Sequence, residues 1–168
     1  SITAVNRRKA PIAGLVCLDP NYTSDFSVDA NGWSAVAGVQ GIQANQDGVD
    51  GLDNSIRIRF NDATSPDAPS SMTRTLHAAC TAGCVYAYTI VYRIPSANDG
   101  VFYVDNITAG GTTTSVDSSE PTNDAWITKT GTFTAASTTT AFTITMNDDN
   151  DGGAADTAYI NSIELALN

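Results

Sequence analysis

Apolar and polar residues alternate with a period of two through most of this chain, in short runs closed by turn residues. In Val85-Tyr86-Ala87-Tyr88-Thr89-Ile90-Val91-Tyr92-Arg93, the residues Tyr86, Tyr88, Ile90 and Tyr92 share one face. Ala87, Thr89, Val91 and Arg93 share the other. In Ala141-Phe142-Thr143-Ile144-Thr145-Met146, the inward positions are Phe142, Ile144 and Met146; in the run 127–133 the even positions are threonines with an exposed character. The pattern predicts strands near 11–18, 34–40, 54–60, 71–79, 84–94, 101–108, 125–134, 139–147 and 157–167. Asn31-Gly32, Asp47-Gly48, Asp50-Gly51, Asp99-Gly100 and Gly110-Gly111 mark turns between them. No segment carries a stripe of period 3.6, and no apolar run approaches the roughly 20 residues that span a membrane. Eight or nine short antiparallel strands in one domain predict an all-β fold, a single jelly-roll sandwich over residues 19–168. Residues 1–18 form a short, extended, basic and apolar N-terminal arm in this reading.

Composition agrees with strands and turns. Asp outnumbers Glu 16 to 2, Thr occurs 22 times, and Lys only twice, at Lys9 and Lys129. A helical chain would favour Glu, Lys and Leu. The net charge of −10 is unevenly placed. Arg7, Arg8 and Lys9 give residues 1–16 a charge of +3, so residues 17–168 carry 5 − 18 = −13. A body that acidic repels nucleic acid. The three clustered cations are the candidate handle for docking on an acidic partner surface.

The remaining chemistry is sparse. Cys80 and Cys84 flank Thr81-Ala82-Gly83, a turn that a disulfide can close if the Cα atoms come within about 7 Å; Cys17 is then left over. The cysteines with His77 supply too few ligands for a closed zinc site. His77 lies in an alternating run and reads as a strand-face residue. No Ser-His-Asp pattern, phosphate loop or dinucleotide fingerprint is present. Glu164 is the glutamate in the most apolar context. The run Asn147-Asp148-Asp149-Asn150-Asp151-Gly152 imitates the start of a calcium loop, but its twelfth position is Ala158 rather than Glu, so it reads as an acidic hairpin tip. The chain is expected to be non-catalytic.

Five segments together resemble jelly-roll carbohydrate-binding modules of the family 4, 9 and 22 type, a galactose-binding-like β-sandwich. They are Asp25-Phe26-Ser27-Val28-Asp29-Ala30-Asn31-Gly32-Trp33, Gly51-Leu52-Asp53-Asn54-Ser55-Ile56-Arg57-Ile58, the 84–93 strand, Trp126-Ile127-Thr128-Lys129-Thr130-Gly131-Thr132-Phe133-Thr134, and Ala158-Tyr159-Ile160-Asn161-Ser162-Ile163-Glu164-Leu165. Their order and spacing cover residues 19–167. The resemblance implies a structural calcium tying the first strand to the last. Two of its carboxylate positions correspond here to Ser27 and Asn161, so a calcium would rest on Asp25, Asp53, Asn161 and backbone carbonyls. No cofactor is otherwise required.

Glycan binding needs flat aromatic faces flanked by hydrogen-bonding side chains. The candidates are Tyr88, Tyr92, Tyr103, Trp126 and Tyr159, with Arg93, Gln43 and Asn106 as polar partners. Trp33 and Trp126 both fall in framework motifs and are expected to pack in the core. Two functions follow. One is a structural subunit displayed on a virion or other extracellular surface, of the capsid-decoration kind, oligomeric in context and anchored through Arg7, Arg8 and Lys9, with or without glycan adhesion. The alternative is a glycan-binding module of a secreted carbohydrate-active protein. Neither has nucleic acid or a membrane as partner.

Overall fold

A computed structural model describes residues 14–36, 39–49, 51–60, 70–98, 100–121, 124–148 and 156–168. Arg7, Arg8, Lys9 and all of residues 149–155 in the acidic loop lie outside these. Eleven strands follow in order: β1 (Tyr22–Thr23), β2 (Ser34–Ala35), β3 (Val39–Asp47), β4 (Asp53–Phe60), β5 (Ser70–Cys80), β6 (Val85–Arg93), β7 (Phe102–Ala109), β8 (Thr112–Ser115), β9 (Ile127–Thr134), β10 (Thr139–Asp148) and β11 (Thr157–Leu167). They form two antiparallel sheets, one ordered β3-β4-β11-β6-β9 with β1 beside β11, the other β2-β5-β10-β7-β8. Among the described residues there is no helix. The all-β sandwich expected from the alternation is therefore present.

The alternation decides which side chains fill the space between the sheets. Tyr86, Tyr88, Ile90 and Tyr92 of β6 are all buried, as are Phe142, Ile144 and Met146 of β10. Ring pairs fill the core: Phe60 of β4 stacks across it on Phe102 of β7 at 5.1 Å, and Trp33, just before β2, meets Phe142 of the same sheet edge-on at 5.1 Å. Gly131 of β9 lies directly opposite Tyr88. A Cβ there would come within 2.6 Å of the tyrosine hydroxyl, so the glycine gives the ring its place.

Three sequence expectations need correction. Residues 14–18 carry no strand. They are held by side chains instead: Leu18 N donates to Thr81 Oγ1 at 3.1 Å, and Tyr86 Oη donates to Leu18 O at 2.8 Å. The disulfide joins Cys17 to Cys84 with Cα atoms 5.8 Å apart, not Cys80 to Cys84. Cys80 closes β5 with its side chain turned into the core, and it remains a free, buried thiol. Finally, β8 was not expected as a strand. Gly110 and Gly111 both take positive φ (55° and 69°), the backbone that a two-residue hairpin turn requires, and so return the chain from β7 into β8.

Candidate functional site

The outer face of the β3-β4-β11-β6-β9 sheet gathers the chemistry. Strand register sets one line of side chains across it. Gln43 of β3 is opposite Arg57 of β4, Arg57 is opposite Tyr159 of β11, and Tyr159 is opposite Arg93 of β6. Tyr92 is opposite Ile127, the first residue of β9, so the next place in the line belongs to Trp126. Four gaps between neighbouring strands make the row about 19 Å long, the length of a short oligosaccharide.

Contacts fix the members. The Arg93 guanidinium carbon is 4.5 Å from the Tyr159 ring centroid and 5.3 Å from that of Trp126. Arg93 Nη1 is 3.5 Å from Asp124 Oδ1, and Ser96 Oγ donates to Asp124 Oδ2 at 2.6 Å. Those bonds from Ser96 hold the Asp124 carboxyl below its usual range, with the Arg93 charge adding to the effect. Arg93 Nε is buried and has no hydrogen-bond partner among the described residues. At the other end Arg57 Nη2 donates to Gln43 Oε1. Gly41, Ile42, Gln43, Arg57 and Arg59 there line an open pocket of about 250 Å³.

This arrangement sorts the candidates. Gln43, Arg93, Trp126 and Tyr159 come together. Trp126 is half-exposed beside Arg93 rather than in the core; Trp33 alone of the two tryptophans is buried. Tyr88 and Tyr92 cannot present a face to a sugar. Both point between the sheets, where Tyr88 Oη donates to Ser115 O at 3.1 Å and Tyr92 Oη to Asp117 Oδ2 at 2.9 Å. Tyr103 and Asn106 lie on β7, in the other sheet, away from the row. Arg57 and Asp124 belong to the site and were not anticipated. The alternation of β4 alone signals an outward Arg57, since it stands between the inward Ile56 and Ile58.

Of the expected calcium ligands, Asp25 and Asn161 make hydrogen bonds within the chain, and the Asp53 side chain lies outside the described residues. Asp25 Oδ1 accepts from Ser27 N at 3.0 Å and Ser27 Oγ at 2.6 Å, bonds that hold its carboxyl below the usual range. Asn161 Oδ1 accepts from Val49 N at 2.8 Å, in the turn before Asp53. Among the described residues no group of three or more His, Cys, Asp or Glu gathers. The first and last strands are joined by ordinary bonds: Ser24 N donates to Ile163 O and Ile163 N to Ser24 Oγ, both at 2.9 Å. Glu164 stands exposed opposite Thr89. The glutamate whose carboxyl burial pushes upward is Glu120.

No protein-family model matches the sequence, and no curated protein matches it. Solved structures do. The CBM22-1 xylan-binding domain from Paenibacillus barcinonensis Xyn10C superposes with a TM-score of 0.56 at 14% identity, covering 92% of this chain and 97% of that domain. The CBM22-2 xylan-binding domain of the same protein gives 0.61 at 7% identity, covering 88% and 99%. The C-terminal family 22 carbohydrate binding module of Clostridium thermocellum Xyn10B gives 0.60 at 14% identity, covering 87% and 92%. At such identities the likeness concerns the fold alone: the two-sheet β-sandwich of this chain is similar to that of these family 22 carbohydrate-binding modules.

Proposed function

We propose that the protein is a non-catalytic glycan-binding module whose site is the Gln43, Arg57, Tyr159, Arg93, Trp126 row. The single observation that supports this most is the pair of rings, Tyr159 and Trp126, held on either side of one guanidinium on an outer sheet face. Sugars present C–H faces that stack on such rings and hydroxyls that accept from an arginine or pair with a glutamine amide. The row runs across the strands, so an extended polysaccharide would lie perpendicular to them. Xylan-type β-glycans are the first class to test, because the structural neighbours include domains named as xylan-binding. Anchoring on a virion or other surface lattice through Arg7, Arg8 and Lys9 rests on the charge split alone and gains no support from the fold neighbours.

Affinity electrophoresis against soluble xylans, mixed-linkage glucan and mannan tests the reading. Retardation by at least one polymer, lost in Trp126→Ala and Tyr159→Ala proteins that melt like the wild type, is the expected result. A protein that is retarded neither by these polymers nor by an acidic polysaccharide would refute it.

A further inference from the structure

Residues 17–168 hold five cations against eighteen acidic groups, and those cations are not scattered. Lys129 is ion-paired with Asp117 at 2.8 Å. Arg74 is half-buried and engaged, over the Tyr22 ring at 3.9 Å and donating to Asn31 O at 2.6 Å. The other three, Arg57, Arg59 and Arg93, all stand on the outer face of one sheet. Arg57 and Arg59 alternate with the buried Ile56, Ile58 and Phe60, so β4 sends both outward. Neither has an ion-pair partner among the described residues.

The two arginines also share a cavity. Gly41 is opposite Arg59, and Gln43 is opposite Arg57. A Cβ at Gly41 would meet nothing within 4 Å, so the missing side chain leaves the pocket open. The result is a notch with two guanidinium groups that have no ion-pair partner among the described residues, at one end of the row on a body that is otherwise strongly acidic.

We propose that this notch recognises an anionic group on the glycan, the carboxylate of a uronic acid or a sulfate ester, so that the row binds acidic in preference to neutral chains. Guanidinium groups meet such planar or tetrahedral oxyanions through paired, charge-assisted hydrogen bonds, which a neutral hydroxyl cannot match. The notch adjoins the aromatic pair along the same row, so one chain can stack on Tyr159 and Trp126 while its substituent reaches Arg57 and Arg59. The inference rests on the glycan-binding reading given above and narrows its ligand class.

The test uses four polymers: glucuronoxylan, the same polymer with its carboxyl groups reduced, neutral arabinoxylan, and dextran sulfate. The proteins are wild type, the Arg57→Gln/Arg59→Gln double variant, Gly41→Gln, which fills the notch from a strand position with ordinary φ, and Trp126→Ala. Carboxyl reduction is expected to weaken binding about tenfold, as loss of one charge-assisted contact should. The double variant and Gly41→Gln should bind native and reduced polymer alike, while Trp126→Ala should weaken both. Binding to dextran sulfate but to none of the xylans supports the anion site and makes the anion a sulfate. Equal binding to native and reduced polymer overturns the anion site and leaves the glycan-binding reading intact. Binding to none of the four overturns the anion site, and overturns the glycan-binding reading as well when mixed-linkage glucan and mannan also fail to retard the protein.

Discussion

Arg93 and Tyr159 face each other across β6 and β11, with the guanidinium carbon of one 4.5 Å from the ring centroid of the other. Trp126 approaches the same guanidinium at 5.3 Å, and Asp124 at 3.5 Å. A planar cation sets the spacing and tilt of two rings here. Lysine would keep the charge but lose the plane and the fork. In an Arg93→Lys protein the affinity for whichever glycan binds the wild type should fall about tenfold, equivalent to about 1.4 kcal/mol. The thermal midpoint should fall by only a few degrees, since the change is on a sheet's outer face. Calorimetric titration beside a thermal melt checks both; unchanged affinity would mean that the rings need no spacer.

The fold was legible because its signals are local. A period of two places Tyr86, Tyr88, Ile90 and Tyr92 on one face without knowledge of any partner strand. The framework motifs have a physical basis of the same kind: the Gly131 of the Trp-to-Phe strand is there because Tyr88 lies over it. The site was only half legible. Gln43, Arg93, Trp126 and Tyr159 were visible as residue types, but what joins them is register across five strands, which one sequence does not display. Tyr88 and Tyr92 are ambiguous in sequence because tyrosine suits a sugar platform and a core edge equally. Only the partner atoms of their hydroxyls, Ser115 O and Asp117 Oδ2, decide the matter. The disulfide escaped for a similar reason. A short spacing drew attention to Cys80 and Cys84, whereas the bonded pair is separated by 67 positions.

That separation makes the Cys17–Cys84 link a strong constraint on the unfolded chain. In the loop-entropy treatment a closed loop of this size stabilises by about 4 kcal/mol. Reduction, or a Cys17→Ser substitution, should therefore lower the thermal midpoint by roughly 8–16 °C for a domain of this length. Thiol counting separates this pairing from the alternatives. Cys80 is fully buried, and burial pushes its thiol up to about 11. The folded protein should show no reactive thiol and the denatured, unreduced protein one, which peptide mapping assigns to Cys80. Mapping to Cys17 instead would contradict the pairing.

Acid should act through Asp117. Burial raises its pKa, but bonds from Lys129 Nζ at 2.8 Å, Ser118 N at 2.9 Å and Tyr92 Oη at 2.9 Å outweigh this and hold the carboxyl below its usual range. A carboxyl depressed in the folded state adds stability that is fully present above its unfolded pKa, about 3.9, and is lost as pH falls through the folded pKa. Tyr92 remains protonated throughout, because burial and the Asp117 charge both raise it strongly. Asp117→Asn should cost about 1–3 kcal/mol near neutrality, from the disrupted network. The gap between wild type and variant should stay constant down to about pH 4 and then narrow. Urea unfolding at a series of pH values measures the gap. If it keeps its neutral value at pH 3, Asp117 is not the titrating group.

Gly131 offers the sharpest test of packing. It has no positive φ, so backbone conformation does not demand glycine at this position. What demands it is space. A Cβ would come within 2.7 Å of two ring carbons of Tyr88 as well as 2.6 Å of the hydroxyl. That ring is buried and its hydroxyl is bonded to Ser115 O, so it has little freedom to retreat. Gly131→Ala should therefore destabilise by about 1–3 kcal/mol, the usual cost of overpacking, although alanine ordinarily suits a strand better than glycine. Tyr88→Leu should restore part of the loss, because a shorter side chain vacates the space over residue 131. The double variant should then be more stable than the sum of the two single changes implies. Strict additivity in denaturant melts would mean that the ring and the glycine are not coupled.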